Sequence, residues 1–249
     1  MKMTAEDFLN WPKKALTVTG MSGLGKTHIS CILARQGWTH YSCDEIIGTE
    51  FLAGELDGPV TKKNLAPLSA FIGKVGDPAK GGLPLDEFKR RQNLYYQAEC
   101  ESLRRVGNEI AWAKGHFIND STGSLCEIED AALLDELGQQ TLFVYIKASA
   151  EEEERILARA VSAPKPLFFP PAMFDGWLAD FMRRNKAKTV AEIDPDEFSR
   201  WVFPLLFKSR LPKYQALADR YGVAVPSEAM AAVKTERDFI ACIAEALRA

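Results

Sequence analysis

Along the chain, apolar positions gather in short β-rich runs, and longer stretches of helical spacing lie between them. Thr141 to Lys147 (TLFVYIK) is the clearest strand, because it is continuous, aromatic and β-branched. Leu16 to Thr19, Thr39 to Ser42, Phe117 to Asn119 and Gly222 to Val225 read as four more. Helices are expected from about Lys26 to Gln36 and from Leu85 to Val106. Ser149 with Glu152 three residues on forms a capping box, which opens a helix after the fourth strand. The acidic run Glu151 to Glu154 then lies in its first turn, where it suits the helix dipole. Thr235 with Asp238 opens the last helix in a similar, weaker way. This alternation of strand and helix predicts an α/β fold around a parallel sheet.

Two segments fit the alternation poorly. Residues 54–84 hold Gly54, Gly58, Pro59, Pro67, Gly73, Gly76, Pro78, Gly81, Gly82 and Pro84, so a loop or broken helix is expected there, as an insertion near one edge. Residues 161–175 hold Pro164, Pro166, Pro170 and Pro171 with Phe168, Phe169 and Phe174. That composition predicts a stiff, apolar-tipped loop of the kind that serves as a lid. The expectation is one domain over residues 1–249, with 54–84 as a substrate subdomain and 161–175 as a lid.

Composition narrows the class. A hydrophobic share of 47% with 26% charged residues describes a globular chain, not a disordered one. No run approaches the ~18–20 apolar residues of a membrane-spanning helix. Met1 to Lys14 carries acids and no apolar core of signal-peptide length, which points to the cytoplasm. The formal charge of −3 argues against a dedicated duplex-DNA binder. Cys31, Cys43, Cys100, Cys126 and Cys242 are odd in number and never form a C-x-x-C pair, as befits reduced thiols. His28, His40 and His116 lack metal-ligand spacing, so zinc chemistry is set aside.

The chemistry begins after the first strand. Gly20-Met21-Ser22-Gly23-Leu24-Gly25-Lys26-Thr27 satisfies the phosphate-binding pattern G-x-x-x-x-G-K-[ST] in full, with His28 next in the helix. A chance match in this length is roughly one in a hundred, and the strand before and helix after supply the required context. The glycines let backbone N–H groups turn inward on phosphate oxygens, and the helix N-terminus adds its positive end. Lys26 is expected at the β- and γ-phosphates of ATP, and the Thr27 hydroxyl on Mg²⁺. Asp44 stands just past the second strand, at the carboxyl end where ligands bind in open parallel sheets. It would accept a proton from an acceptor hydroxyl, or hold a metal-bound water; its other reading is the cap of a helix Glu45 to Leu52. Asp120, ending the third strand, looks like a loose Walker B carboxylate that holds Mg²⁺ through water, or else an Asx-type turn. Gly123, among Ser121, Thr122 and Ser124, suits close approach by a ligand. Arg155 and Arg159 lie four apart on one helix face and lead into the loop that carries Lys165, from which basic groups would close over the phosphates. Arg155 is also spaced to pair with Glu151. Arg183, Arg184, Lys186 and Lys188 read as a solvated face.

Taken in order, these residues resemble shikimate kinase and its relatives in the nucleoside-monophosphate-kinase-like group. The P-loop, Asp44, the Asp120–Ser124 turn, Lys165-Pro166-Leu167-Phe168 and Arg210-Leu211-Pro212-Lys213-Tyr214 carry the resemblance, which spans most of residues 15–248. It implies a three-layer α/β/α sandwich, a five-stranded parallel sheet of order 2-3-1-4-5 with a lid. It also implies that Lys165 serves in the lid, that Arg210 contacts an acidic part of the substrate, and that Lys89, Arg90 or Arg91 adds a basic contact. This chain departs from the pattern in having Ser42 for the metal-side Asp, Thr122-Gly123 for paired glycines, and Lys165 for Arg. The expected function is a Mg-ATP-dependent small-molecule kinase with a hydroxyl or phosphate acceptor. The rivals are a P-loop ATPase or nucleotide-binding regulator acting with a protein partner, for which the aromatic 161–175 loop and the large 54–84 insertion are suited, and a polynucleotide kinase using the basic cluster beside Trp177 and Phe181. No Asn-Lys-x-Asp guanine motif occurs, which favours ATP over GTP.

Overall fold

Five strands pair in parallel in the computed structural model, which describes residues 3–62 and 64–249. They are β1 (Ala15–Thr19), β2 (Thr39–Ser42), β3 (Phe117–Asp120), β4 (Leu142–Lys147) and β5 (Gly222–Pro226), in the order β2-β3-β1-β4-β5. Each lies within a residue of its sequence expectation. The register places Ser42, Asp120, Val18 and Val144 side by side, so the carboxyl ends of β2, β3 and β1 finish together.

The helices are α1 (Ala5–Asn10), α2 (Lys26–Ala34), α3 (Cys43–Ile46), α4 (Ala66–Ile72), α5 (Leu85–Arg104), α6 (Val106–Trp112), α7 (Ala131–Gln140), α8 (Ala150–Ser162), α9 (Pro171–Asn185), α10 (Pro195–Tyr221), α11 (Ser227–Ala231) and α12 (Glu236–Ala246). The capping boxes at Ser149/Glu152 and Thr235/Asp238 form as expected. A third, Thr4/Asp7, opens α1, an element the sequence reading did not anticipate. Helix α2 stops short of Gln36 because Gly37 turns left-handed (φ 95°) and the Trp38 amide folds back onto the Leu33 carbonyl.

The chain divides into two compact units. The first comprises everything up to Cys43, Glu99–Glu153 and Arg210–Ala249; the second comprises Asp44–Ala98 and Glu154–Ser209. In the first unit, alternation along the strands makes two unlike sheet faces. Leu16, Val18, Ile118, Val144 and Ile146 form an aliphatic face, packed with Ile29 and Leu33 of α2, Phe8 of α1 and Phe239 and Ile243 of α12. The opposite face carries hydroxyls, an amide and rings. Thr17 bonds to Thr141 (2.8 Å) and receives Asn119 Nδ2 (3.2 Å), while Tyr145 stacks on Tyr214 of α10.

The second unit is built from the two segments that broke the alternation. Its first core joins Val75 and Phe88 to Phe169, Phe174, Phe181 and Phe198; its second joins Phe71 and Tyr95 to Phe168. The stretch 54–84 is a broken helix, with α4 and a short 3₁₀ turn at Pro78–Lys80. The segment 161–175 differs from its expectation. Its loop covers residues 163–170 only, because Pro171 starts α9 as a favoured first helical residue. Its phenylalanines do not tip a loop: Phe168 and Phe169 point into different cores of this unit. Gln92 pins that end of the loop, donating to the Leu167 carbonyl (3.2 Å) and accepting from the Phe169 amide (2.9 Å).

Lys186, at the end of α9, is the one non-glycine residue among those described with a left-handed backbone (φ 56°), and its side chain is exposed. Lys186→Gly removes that strain and is expected to stabilise the protein by roughly 0.5 kcal/mol, after the added freedom of the unfolded chain is subtracted. Urea unfolding with a midpoint unchanged or lowered would contradict this.

Candidate active site

The phosphate-binding loop sits where β1 gives way to α2. Gly20 has φ 138°, and a Cβ there would stand 2.8 Å from the Ile146 carbonyl oxygen of β4. Gly25 has φ 88° and a Cβ there would meet nothing within 4 Å, so its glycine serves backbone conformation and leaves open space over the helix start. No side chain caps the first turn of α2, which leaves its amides for an anion. Lys26 is buried and folds over the loop, its Nζ donating to the Gly20 (2.8 Å) and Met21 (3.3 Å) carbonyls. Thr27 and His28 are exposed on that first turn. A cradle of this form fits the phosphates of a nucleotide, and Thr27 is the residue of this turn whose hydroxyl would hold a magnesium ion bound with them. Gly20→Ala forces the Cβ against backbone in a conformation closed to alanine. It is expected to weaken Mg·ATP binding at least tenfold, measured by calorimetry, since the loop must reshape to fold at all.

Asp120 ends β3 level with Val18 and Ser42 and is buried. Its Oδ2 lies 3.6 Å from His40 Nε2, a neighbour the sequence reading did not supply. The following turn rests on the phosphate loop. Ser121 donates to the Val18 carbonyl through both its amide (3.3 Å) and its hydroxyl (2.8 Å). A Cβ on Gly123 would stand 3.6 Å from the Ser22 amide nitrogen. Two buried carboxylates brace this turn. Glu99 accepts from the Thr122 hydroxyl and from Ser124 Oγ (2.8 Å). Glu127 accepts from Arg210 Nε (2.9 Å) and from Lys213, and the Gly123 carbonyl accepts from Arg210 Nη1 (3.1 Å) and the Tyr214 hydroxyl (2.5 Å).

The ionisation of this cluster follows from its burial. Burial opposes the charge of Arg210, but its pKa stands above the usual arginine value, with the hydrogen-bonded Glu127 carboxylate beside it holding the charge. Burial pushes the Cys126 thiol up to about 12 and the Tyr214 hydroxyl well above its ordinary range. Tyr145, beneath Tyr214, is pushed up to about 12 for the same reason. The phenols and the thiol are therefore neutral near pH 7.

Of the residues singled out from sequence, the loop Gly20–His28, Asp120, Gly123 and Arg210 all belong to the first unit. Asp44, Arg155, Arg159 and Lys165 belong to the second. Asp44 is half-buried and does not cap a helix Glu45–Leu52: α3 already begins at Cys43, and the chain continues as a π-helical turn, Ile47–Phe51. Arg155, Arg159 and Lys165 are exposed. The three basic residues near the start of α5 have partners within the second unit. Lys89 pairs with Asp175 (2.7 Å), Arg90 with Glu87 and Glu55, and Arg91 with Glu87 and the Phe71 carbonyl. Arg90 and Arg91 hold the Glu87 carboxyl down at about 2. Glu99, Glu127 and Lys213 were missed from sequence. Lys213 and Tyr214 stood inside the Arg-x-Pro-x-Tyr stretch, but nothing in the sequence set the two glutamates apart from surface acids.

The chain thus has a P-loop α/β fold, with a five-stranded parallel sheet of order β2-β3-β1-β4-β5 as the resemblance implied. No protein-family model matches it, and no curated protein sequence does. Among solved structures it is similar to shikimate kinase from Acinetobacter baumannii in complex with shikimate, at 17% identity over 83% of this chain and 99% of that one, TM-score 0.39. It is also similar to the tunicamycin resistance protein of Deinococcus radiodurans (15% identity, 84% and 95% covered, TM-score 0.36). A third is a gluconokinase from Sinorhizobium meliloti (16% identity, 84% and 95% covered, TM-score 0.32). No described helix is long and apolar enough to cross a membrane.

Proposed function

We propose that the protein is a kinase that moves the γ-phosphoryl group of ATP to a small molecule bearing a hydroxyl or phosphate acceptor. The observation that carries this reading is the phosphate loop with a second, independently braced turn seated against it at Gly123 and Ser22. A loop for nucleotide phosphates alone has no need of that second support; an enzyme that must hold an acceptor beside the γ-phosphate does.

In this reading the backbone amides of Gly20–His28 bind the phosphates. Lys26 exchanges its two carbonyl partners for γ-phosphate oxygens and stabilises the charge that develops during transfer. Thr27 and Asp120 are the residues to hold Mg²⁺, which supplies charge neutralisation between the β- and γ-phosphates. Asp44 is assigned by its chain position just past β2, to orient the acceptor and take its proton. Lys165, Arg155 and Arg159, all exposed, are assigned from the sequence pattern to exclude water and offset charge. Gln92 ties this loop down at Leu167 and Phe169, so a closing movement in this reading would fall to the part before Leu167.

Two observations speak against parts of the rival readings. The phenylalanines that would have offered a protein partner an aromatic loop are core residues. In the basic cluster, Arg183 and Arg184 pair with Asp180, and the neighbouring Phe181 is buried. The test is transfer of γ-labelled phosphate from Mg·ATP into a pooled metabolite extract, with Lys26→Ala as control. Label entering a metabolite, and lost in the control, supports the kinase. Label released only as slow inorganic phosphate supports an ATPase instead.

A further inference from the structure

Both cations that α10 brings to the turn are already taken. Glu127, whose side chain is wholly buried, receives Arg210 Nε on one oxygen and Lys213 Nζ on the other. Arg210 is itself buried, and its Nη1 is spent on the Gly123 carbonyl, which also accepts from Tyr214. On the other side of the turn, the Thr122 and Ser124 hydroxyls are committed to Glu99. With Cys126 and Tyr214 neutral, the charges of the α10 side are one carboxylate and the two cations that enclose it.

We infer that the acceptor meets the 121–124 turn with a neutral, hydroxyl-bearing group, not a carboxylate or phosphate, and that Glu127 is the residue that determines this specificity. The inference rests on the kinase reading. An anionic group arriving here would have to leave water and compete for Arg210 with a carboxylate already in place. Winning that competition would take from the buried Glu127 the one partner that is as buried as itself and leave it Lys213 alone. A neutral hydroxyl gives up far less hydration and displaces neither ion. The arginine that the family resemblance assigns to an acidic substrate is, in this chain, an internal strut.

The test uses malonate as the anionic probe, titrated by calorimetry into the whole protein held with Mg·AMP-PNP. Wild-type protein is compared with Glu127→Gln, which keeps a hydrogen-bonding side chain and releases both cations. Nucleotide binding is measured first and by itself, and its absence counts against the kinase reading alone. The malonate difference between the two proteins still reads the turn, because any malonate bound at the phosphate loop is common to both. Wild type is expected to show no binding below about 10 mM, and Glu127→Gln to bind at least tenfold more tightly, through freed charge-assisted bonds. Adding Arg210→Lys, which loses the fork, is expected to remove the gain. If Glu127→Gln fails to fold by circular dichroism, Glu127→Asp replaces it, being too short to hold both cations. Malonate binding in the wild type as tight as in the variant overturns the inference. So does a folded variant that gains nothing.

Discussion

Lys26→Ala is expected to slow phosphoryl transfer by about 100- to 1,000-fold, the cost of removing one preorganised charge from a transition state. The geometry explains why the effect is this large. Lys26 is 7% exposed, so water cannot replace its ammonium, and it already sits on the loop carbonyls of Gly20 and Met21, at the wall of the cradle. A nucleotide phosphate arriving there finds the charge in place and needs only to exchange partners with it. The same substitution deletes two hydrogen bonds within the loop, each worth about 1 kcal/mol or less in net stability. A small fall in melting temperature should therefore accompany a large fall in rate. Single-turnover transfer measured beside thermal unfolding separates the two. A rate loss under tenfold in a folded variant would remove Lys26 from the chemistry.

The largest stability effect is expected at Glu127. Glu127→Ala leaves the Arg210 guanidinium, 6% exposed, without its carboxylate, and breaking a buried pair from one side costs about 3–5 kcal/mol. Lys213 adds little to that figure, since its partly exposed ammonium can turn to water. The cost belongs to the stranded charge rather than to the bond. Removing both charges with Glu127→Leu and Arg210→Met should accordingly recover most of it. Urea unfolding of the two single variants and the double variant checks this. A loss under about 1 kcal/mol in Glu127→Ala would mean that Arg210 finds another partner or water.

The sheet and the phosphate loop were legible because their signals are local. A strand such as Leu142–Lys147 declares itself by β-branched and aromatic content, and the loop by glycines at fixed spacing with Lys-Thr behind them. The capping boxes at Ser149 and Thr235 are likewise complete within four residues. The braces of the Gly123 turn are not local: Glu127 and Arg210 are 83 positions apart, and Glu99 and Ser124 are 25. A glutamate that will be buried carries no mark of it in the sequence, because burial is decided by what packs over it. Phe168 and Phe169 misled for the same reason. Among prolines they look like an exposed tip, yet Phe88 and Tyr95, far away in the chain, bring them inside.

The order in which residues enter the second unit has a consequence for synthesis. Its cores need Phe71, Phe88 and Tyr95 from before Glu99 and Phe169, Phe174 and Phe198 from after Glu153. While the ribosome is still making the intervening stretch, the early half has no partner to cover its rings, and it must wait for most of the chain to emerge. A nascent chain halted near residue 153 would therefore display bare aromatic surface, the kind that chaperones hold and that aggregates without them. Splitting the gene between the two units is closed as a route to a separate second unit, because no single contiguous stretch encodes it.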